Sequence, residues 1–236
     1  MKTDFLYEGK AKRLYNTEDP NIVLVEYKDD LTAFNAEKTG TAQGKGRLNN
    51  LISAALFQYL SQFDIPTHFV ELVDDNHHKA LKVTILPVEV IVRNLTAGSI
   101  CRRLGVAEKM ELNPPLVEFC YKSDEHGDPV IADEHVRAFN WATDEQIAFM
   151  RKTALKVDEH LTELCKKMGI YLVDFKIEFG VTPKGQIVLA DEISPDTCRF
   201  WDLETMESLD KDRFRFDLGD VMKGYEEIFA RIEKLK

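Results

Sequence analysis

The chain has 236 residues, 44% hydrophobic and 31% charged, which is an ordinary composition for a globular protein that can bury a large core. Its formal net charge of −10 argues against a general nucleic-acid or membrane-surface binder, because such proteins present basic surfaces. No apolar run suits a membrane helix or secretory signal, and the four cysteines lack CxxC spacing, so we expect free thiols, no structural zinc and a cytoplasmic location.

Hydrophobic periodicity predicts strands and helices in mixed order along the chain. Strands are expected at residues 5–15, 21–27, 68–73, 80–84 and 87–94, with a later hairpin within 171–202. Helices are expected at residues 45–63, at 143–168 behind a capping box of Thr143 and Gln146, and from about Asp217. This order indicates an α+β fold with mostly antiparallel strands. We expect a small N-terminal lobe of residues 1–86, a larger lobe of residues 87–236, and a ligand cleft between them.

The hairpin at residues 171–202 carries charge on a predicted strand. The alternating residues are Asp174, Lys176 and Glu178 on one face and Phe175, Ile177 and Phe179 on the other. Glu178 and Asp191 flank the turn at residues 182–185. Two facing carboxylates repel unless a cation lies between them, and Mg²⁺ is usually held by one or two carboxylates plus substrate phosphates. Glu178 and Asp191 are therefore candidate metal ligands; the alternative is a solvent-exposed charged face of an antiparallel sheet.

A glycine turn at residues 6–13, LYEGKAKR, is a second candidate for binding a nucleotide. Gly9 allows close approach of the backbone to a ligand, and Lys10, Lys12 and Arg13 add positive charge. A strand–turn–strand of this kind covers nucleotide phosphates in kinases, although the spacing is not that of a P-loop. The alternative is an ordinary basic hairpin tip.

Residues 88–99, VEVIVRNLTAGS, predict a buried strand that presents Arg93 and then Ser99 at the start of a helix. An arginine, a hydroxyl and the N–H groups of a helix start suit a phosphate, whereas the alternative is that Arg93 pairs with one of the many acids. The histidines have no metal-binding spacing, and no motif for a covalent nucleophile is present. Together these features indicate ATP-dependent transfer to a phosphorylated small molecule.

Six motifs, in this order, resemble those of the SAICAR synthetase (phosphoribosylaminoimidazole-succinocarboxamide synthase) family in its short, monofunctional bacterial form: EGKAKRLY, GKGRLNN, PVEVIVRNLTAGS, ELNPPL, LVDFKIEFG and DEISPDTCRFWD. The resemblance covers nearly the whole chain. It implies a two-lobed, ATP-grasp-like fold with mostly antiparallel sheets, a kinase-like N-terminal lobe and ATP in the cleft between the lobes. A homodimer is in keeping with it, and neither nucleic acid nor a membrane is expected as a partner.

The resemblance also implies the family reaction. Carboxyaminoimidazole ribonucleotide is ligated to L-aspartate with ATP and Mg²⁺, through an acyl phosphate, to give SAICAR, ADP and phosphate in purine biosynthesis. A carboxylate is a poor acyl donor because its leaving group would be oxide, and phosphorylation removes that obstacle. Phosphoryl transfer needs positioning and charge neutralisation more than a protein nucleophile, in keeping with the missing nucleophile motif.

By the same resemblance, the site residues fall into groups. ATP would be bound by Lys10, Ala11, Lys12, Lys122, Glu178 and Asp191, of which Glu178 and Asp191 would also hold Mg²⁺. The ribonucleotide would be bound by Arg93, Ser99 and Arg199. The expected catalytic residues are Lys176, which would stabilise the phosphoryl group, Arg199, and Asp196, which would contact substrate or order Arg199. Candidates for the aspartate site lie near Lys45, Arg93 and residues 213–215.

Two other functions share several of these features. A kinase-like small-molecule phosphotransferase would use the same lysines and metal ligands but would form ADP without aspartate. A non-catalytic nucleotide sensor would bind ATP and Mg²⁺ without turnover. The second anion site, at Arg93 and Arg199, argues against a sensor, which would not need it.

Overall fold

The computed structural model describes residues 4–33 and 37–235. Two antiparallel sheets and the helices packed against them make up the fold, which confirms the predicted α+β class. Within the described ranges, no helix is both long enough and apolar enough to cross a membrane.

The N-terminal sheet and a small ribbon use the first seven strands. Their bounds are β1 Phe5–Glu8, β2 Lys12–Asn16, β3 Ile22–Tyr27, β4 Asp30–Ala33, β5 Lys38–Thr41, β6 Phe69–Asp74 and β7 His77–Leu81. The sheet has the spatial order β1–β2–β3–β7–β6, and β4 pairs with β5 in the ribbon. β1 and β2 form a hairpin whose turn contains Gly9, so the glycine motif has the predicted strand–turn–strand form.

The second sheet contains the predicted charged hairpin. Its strands are β8 Thr84–Leu95, β9 Glu111–Tyr121, β10 Val130–Ile131, β11 Ile170–Val181, β12 Ile187–Ala190 and β13 Cys198–Asp202. The order is β10–β9–β8–β11–β12, and β13 also pairs with β11. The sequence pattern did not predict β9, because Pro114 and Pro115 interrupt the pattern that is typical of a strand.

Six α-helices complete the described chain. They are α1 Lys45–Leu60, α2 Ser99–Leu104, α3 Asp133–Ala138, α4 Asp144–Lys167, α5 Asp212–Arg215 and α6 Val221–Glu233. The predicted capping box begins α4, where the Gln146 N–H donates to Thr143 Oγ1 at 3.2 Å and the Thr143 N–H donates to Gln146 Oε1 at 2.9 Å. α6 begins four residues later than expected, because Asp220 accepts a hydrogen bond from the Met222 N–H at 2.9 Å and caps the helix there.

The alternation predicted for residues 174–179 is confirmed in β11. Phe175, Ile177 and Phe179 are buried in the main core, which β8, α1 and α4 share. The charged face is covered as well: only 4% of Asp174 and 3% of Glu178 is exposed. The alternative of a solvent-exposed charged face is therefore wrong. Burying a charge is costly unless it is paired, so these side chains require cations nearby.

The predicted boundary between residues 86 and 87 lies inside β8 rather than in a linker. The chain passes from the first sheet to the second at residues 82 and 83, between the end of β7 and the start of β8. α1 belongs to the N-terminal segment, yet it packs in the same core as β8 and β11. The two-lobe division into residues 1–86 and 87–236 therefore stays a prediction.

Candidate active site

A cavity of about 600 Å³ lies where the two sheets approach each other. Its apolar lining comes from the N-terminal sheet and the entry to β8: Leu14, Val23, Val25, Ala80, Leu81, Val83 and Ile85. Its charged lining includes Lys10, Lys12, Glu89, Lys122, Lys176, Glu178, Asp191, Glu192, Asp196, Lys211 and Arg215. A second depression of about 690 Å³, on β3, β6 and β7, contains none of the predicted site residues. We therefore take the 600 Å³ cavity as the candidate site.

Lys176 stands between two carboxylates on the cavity wall. Glu178 of β11 and Glu89 of β8 are direct cross-strand partners, so their side chains emerge side by side. The Lys176 ammonium lies 2.5 Å from Glu89 Oε1 and 3.3 Å from Glu178 Oε1. Burial would lower the pKa of Lys176, but the charges of Glu178, Glu89 and Asp191 outweigh burial and raise it. Lys176 is therefore a fixed positive charge.

Lys122 approaches the same carboxylate from β9. Its ammonium lies 2.6 Å from Glu178 Oε1, and its side chain is 42% exposed. Burial opposes its charge, but Glu178 raises the Lys122 pKa overall. Glu178 thus faces two lysines at once, and the predicted ATP-binding residues Lys122 and Glu178 are in direct contact.

Asp191 follows β12 with a left-handed backbone, φ 61°. In the hairpin register Glu178 is opposite Ala190, so Asp191 lies one residue beyond the partner of Glu178 and lines the same cavity. The Lys12 ammonium lies 2.5 Å from Asp191 Oδ1 and 2.9 Å from Glu192 Oε1. Burial would raise the pKa of Asp191, but Lys12 and Lys176 hold it well below its usual range. The carboxylates are thus separated by cations, as the sequence argument required.

A divalent metal fits this donor chemistry only together with a ligand. Among residues 4–33 and 37–235, no group of three or more His, Cys, Asp or Glu side chains is arranged to hold a metal ion by itself. Glu178 and Asp191 offer one or two carboxylates, which is the share that Mg²⁺ usually takes from a protein when phosphate oxygens supply the rest. The pair therefore suits a metal that binds with a nucleotide.

The glycine turn places its two lysines at different depths. Lys10 is at the rim, where it pairs with Asp124 at 2.6 Å and both side chains are exposed. Lys12 is deep, with a side chain only 13% exposed, and Ala11 lies between the two on the cavity lining. The alternative of an ordinary basic hairpin tip therefore does not describe Lys12.

Arg93 is a buried ion-pair centre. It is only 1% exposed and donates to Glu118 Oε2 at 2.7 Å, Asp174 Oδ2 at 2.9 Å and Ser99 Oγ at 3.0 Å. The sequence left open whether Arg93 pairs with acids or binds an anion, and the structure shows the pairing. Its predicted contact with a substrate stays a prediction, since Arg93 does not line the cavity.

Arg199 joins Arg93 through a shared carboxylate. The Arg199 guanidinium donates to Asp174 Oδ2 at 2.8 Å and to Asp212 Oδ2 at 2.7 Å. It also packs on the backbone of Gly98, where an added Cβ would lie 2.3 Å from Arg199 Nη2. Arg93, Ser99 and Arg199 are therefore brought together, as predicted. Asp174 holds the two arginines of this cluster together. It lies four residues before Glu178 on β11, which corresponds to about 13 Å along the strand.

Asp196 is held away from Arg199. Asp196 Oδ2 accepts from the Lys45 ammonium at 2.6 Å, and Asp196 Oδ1 accepts from the Tyr225 hydroxyl at 2.5 Å. The expectation that Asp196 orders Arg199 is corrected, because Asp174 and Asp212 hold that guanidinium instead. Asp196 still lines the cavity, so its predicted contact with substrate remains open to test.

Sequence reasoning missed several residues at the two clusters, among them Glu89, Glu118, Glu192, Lys211 and Asp212. A signal was present for Glu89. It is the one acid in the apolar run from Val88 to Val92, and it shares a strand face with Arg93. Lys211 and Asp212 gave no local signal, since they lie at the start of a four-residue helix that only the tertiary fold brings to the site.

Comparisons with known proteins give one consistent result. The sequence model of the SAICAR synthetase family matches residues 5–232. A phosphoribosylaminoimidazole-succinocarboxamide synthase of Persephonella marina is 54% identical over 233 residues, which is 99% of this chain and 98% of that protein. The crystal structure of a phosphoribosylaminoimidazole-succinocarboxamide synthase from Ehrlichia chaffeensis superposes with a TM-score of 0.95, at 42% identity and 98% coverage of both chains.

A SAICAR synthetase solved in complex with ADP is also similar, with a TM-score of 0.93, 47% identity and 96% coverage of each chain. The matches in sequence and in structure extend over almost the entire length, with both sheets included. We conclude that the chain belongs to the SAICAR synthetase family.

Proposed function

We infer that the chain is an ATP-dependent ligase that joins carboxyaminoimidazole ribonucleotide to L-aspartate and releases SAICAR, ADP and phosphate in purine biosynthesis. The observation that supports this proposal is the presence of two clusters of basic side chains on one strand pair. On β8 and β11, the cross-strand pair Glu89–Glu178 belongs to the lysine-rich cavity, and the pair Arg93–Asp174 belongs to the arginine cluster. A ligase with two phosphorylated substrates needs two such clusters, and family membership supplies the reaction.

The cavity has the two surfaces that a nucleoside triphosphate requires. Its apolar lining, which includes Leu14, Val25 and Ala80, suits a flat base. Lys12, Lys122 and Lys176 would then meet the phosphates, and Lys10 and Ala11 would cover them from the glycine turn. The relative solved with ADP supports this assignment by analogy.

Glu178 and Asp191 would hold Mg²⁺ once phosphate oxygens complete its coordination. When bound, the ion would neutralise negative charge on the phosphates. Lys12 and Lys176, which now contact carboxylates, would turn toward the phosphoryl oxygens as these arrive. Lys176 would be the catalytic cation, because a positive charge beside the transferring group stabilises the negative charge that develops there in the transition state.

The reaction needs no nucleophile from the protein. A carboxylate oxygen of the imidazole substrate attacks the γ-phosphorus of ATP and ADP leaves, which forms an acyl phosphate. The neutral amine of aspartate then attacks the acyl carbon, phosphate leaves with the C–O bond electrons, and the nitrogen loses a proton. The chain's part is to hold the reactants together and to exclude water.

The ribonucleotide would be anchored at the arginine cluster. Arg199 is 15% exposed in its side chain and Ser99 is partly exposed, so both would contact a 5′-phosphate. Arg93 would act from behind them, because it holds Ser99 and Asp174 in place. Asp196 lines the lysine-rich cavity and would contact substrate there.

An omission assay tests the function. Purified protein is mixed with ATP, Mg²⁺, carboxyaminoimidazole ribonucleotide and aspartate, and each component is left out in turn. We expect SAICAR and ADP in equal amounts only when all are present. Stoichiometric ADP without aspartate, together with a stable phosphorylated product, would favour a phosphotransferase. Nucleotide binding without turnover would favour a sensor.

We further propose that the enzyme is cytoplasmic and homodimeric. The cysteines at residues 101, 120, 165 and 198 are unpaired, which suits a reducing compartment. The dimer follows from family resemblance alone. Sedimentation equilibrium over a range of protein concentrations checks it, and a single species at the chain mass of 27.1 kDa would exclude it.

A further inference from the structure

Lys211 lines the active-site cavity, and its ion pair with Asp196 is long and shared. It precedes α5, and its side chain is only 12% exposed. Its ammonium donates no hydrogen bond to any residue in the described part of the chain. The nearest carboxylate oxygen, Asp196 Oδ2, is 3.8 Å away, which is too long for a hydrogen bond. The Lys211 ammonium is therefore a largely covered cation on the cavity wall that forms no hydrogen bond within the described chain.

The oxygen nearest to Lys211 is already engaged. Asp196 Oδ2 accepts from Lys45 at 2.6 Å, and Asp196 Oδ1 accepts from Tyr225 at 2.5 Å. One carboxylate thus faces two lysines. Arg215 adds a further positive charge on the cavity lining, although its guanidinium is 2.5 Å from Asp212 Oδ1. The carboxylate closest to Lys211 is therefore already paired with another lysine.

The direction of the Lys211 pKa shift agrees with this weak pairing. Burial lowers its pKa, and the charges of Lys45 and Arg215 lower it further, against the opposing effect of Asp196 and Glu192. Lys12, Lys122 and Lys176 line the same cavity, but their paired carboxylates raise the pKa of each. Lys211 differs from them because it lacks a carboxylate of its own.

We propose that Lys211 binds a carboxylate group of a substrate, with Arg215 on the same cavity wall. The inference rests on the proposed ligase function and goes beyond it by assigning a subsite. Three anions remain once the two phosphate clusters are filled: the imidazole carboxylate and the two carboxylates of aspartate. An ammonium that lacks a hydrogen-bond partner suits any of them, since a charge-assisted hydrogen bond would satisfy it.

The first test replaces the charge and keeps the carbon chain. In Lys211→Met we expect the KM of one carboxylate substrate to rise about tenfold to a hundredfold, with the KM of ATP unchanged. A rise for aspartate assigns the subsite to the amino acid, and a rise for the ribonucleotide assigns it to the imidazole carboxylate. Unchanged KM values for both, or a rise for ATP alone, would overturn the proposal.

The second test uses stability as an independent readout. Removing a largely covered cation that forms no hydrogen bond should leave the melting temperature of Lys211→Met equal to or above that of the wild type. A structural lysine behaves in the opposite way: Lys45→Met should lower the melting temperature, because Asp196 would lose its closest cation. A loss of stability in Lys211→Met as large as that in Lys45→Met would make Lys211 structural and overturn the proposal.

Two further variants serve as controls. Lys167→Met removes an exposed lysine of α4 that pairs with Glu163 at 2.7 Å, and it should match the wild type in every kinetic constant. Lys211→Arg keeps the charge and should recover part of the lost affinity. The wild type serves as the check on function: if it makes no SAICAR, the ligase proposal fails, whereas active wild type with an unaffected Lys211→Met defeats the subsite alone.

Discussion

Single side chains in this protein act mainly as members of charge pairs. Lys12, Lys176 and Lys122 are held by Asp191, Glu89 and Glu178, and each pair is partly or fully removed from water. A buried charge is tolerated only when it is paired, so these contacts keep the cations in place before any ligand binds. Under the proposed function, the same lysines would meet the phosphate oxygens of ATP.

Glu178→Gln tests the metal-binding role directly. The amide keeps the shape of the side chain but removes the charge that would hold Mg²⁺, and Lys176 retains Glu89 as a partner. We expect turnover to fall about a hundredfold or more while the circular dichroism spectrum is unchanged. Asp191→Asn should behave in the same way. Glu163→Gln, in an exposed pair with Lys167, is the matched control. Unchanged turnover in Glu178→Gln would remove Glu178 from the metal site.

Lys45→Met tests the anchor of Asp196. The Lys45 side chain is fully buried, and that of Asp196 is 4% exposed. Without Lys45 the Asp196 carboxylate would keep only Tyr225 as a close partner, so the free energy of unfolding should fall by about 3 kcal/mol. Urea denaturation measures this. A change within 0.5 kcal/mol, roughly the size seen for surface substitutions, would contradict the anchoring role.

Elements of the second sheet bring the two clusters onto one surface. β8 and β11 are antiparallel neighbours, and their register sets Arg93 against Asp174 at one end and Glu89 against Glu178 at the other. A shift of one residue in this register would turn the charged side chains of the shifted strand toward the apolar core. The turn from β8 into α2 then places the backbone of Gly98 against the Arg199 guanidinium.

Gly98→Ala tests that turn. Gly98 has φ 64°, and an added Cβ would lie 2.3 Å from Arg199 Nη2, so the guanidinium must move. We expect a KM for the ribonucleotide at least about tenfold higher, with the KM of ATP unchanged. Gly105→Ala is the control, because φ is 66° there and nothing lies within 4 Å of the added Cβ. Equal kinetic effects in the two variants would mean that backbone strain, not Arg199, is responsible.

The fold taken as one unit buries two neutral histidines between the N-terminal sheet and α1. His68 lines the cavity, and the His78 ring lies 6.1 Å from the His68 ring, centroid to centroid. Burial lowers the pKa of His68 to about 4, with Lys12 lowering it further and Asp191 opposing. Burial and the neighbouring His68 and Lys12 hold the pKa of His78 well below its usual range.

These histidines predict a stability loss in weak acid. The unfolded chain binds their protons more tightly, so their contribution is complete above pH 6.5 and is lost as pH falls toward 4. For His68 the shift corresponds to about 3 kcal/mol. Asp210, whose pKa is raised to about 7 by burial and Asp212, acts in the opposite direction over the same range. Because Asp210 is present in both proteins, comparing the pH dependence of stability in the wild type and in His68→Gln isolates the contribution of His68.

Thermal unfolding from pH 7 to pH 4 measures that difference. Asp191 and Asp196 do not affect the stability difference between pH 7 and pH 4. Carboxyl groups with a lowered pKa lose their stabilising effect only below their ordinary pKa of 3.8. We expect the wild type to lose more stability than His68→Gln across this range. Parallel curves for the two proteins would show that His68 is not neutral in the folded protein.

Local patterns were sufficient for much of this protein. The alternation in β11, the capping box of α4 and the glycine turn are set by neighbours in the chain, and the structure confirms all three. The motifs also identified the family and therefore its reaction. β9 and the β4–β5 ribbon were missed, because prolines and short strands give little periodic signal.

The tertiary structure alone decided how the charges are paired. The sequence predicted that Glu178 and Asp191 share a site with the lysines, but not that Glu89 completes it, that Asp174 and Asp212 hold Arg199, or that Lys45 holds Asp196. These partners are far apart in the chain. Their pairing depends on strand register and on helix packing, whereas a sequence pattern reports only which face of its own strand or helix a residue occupies.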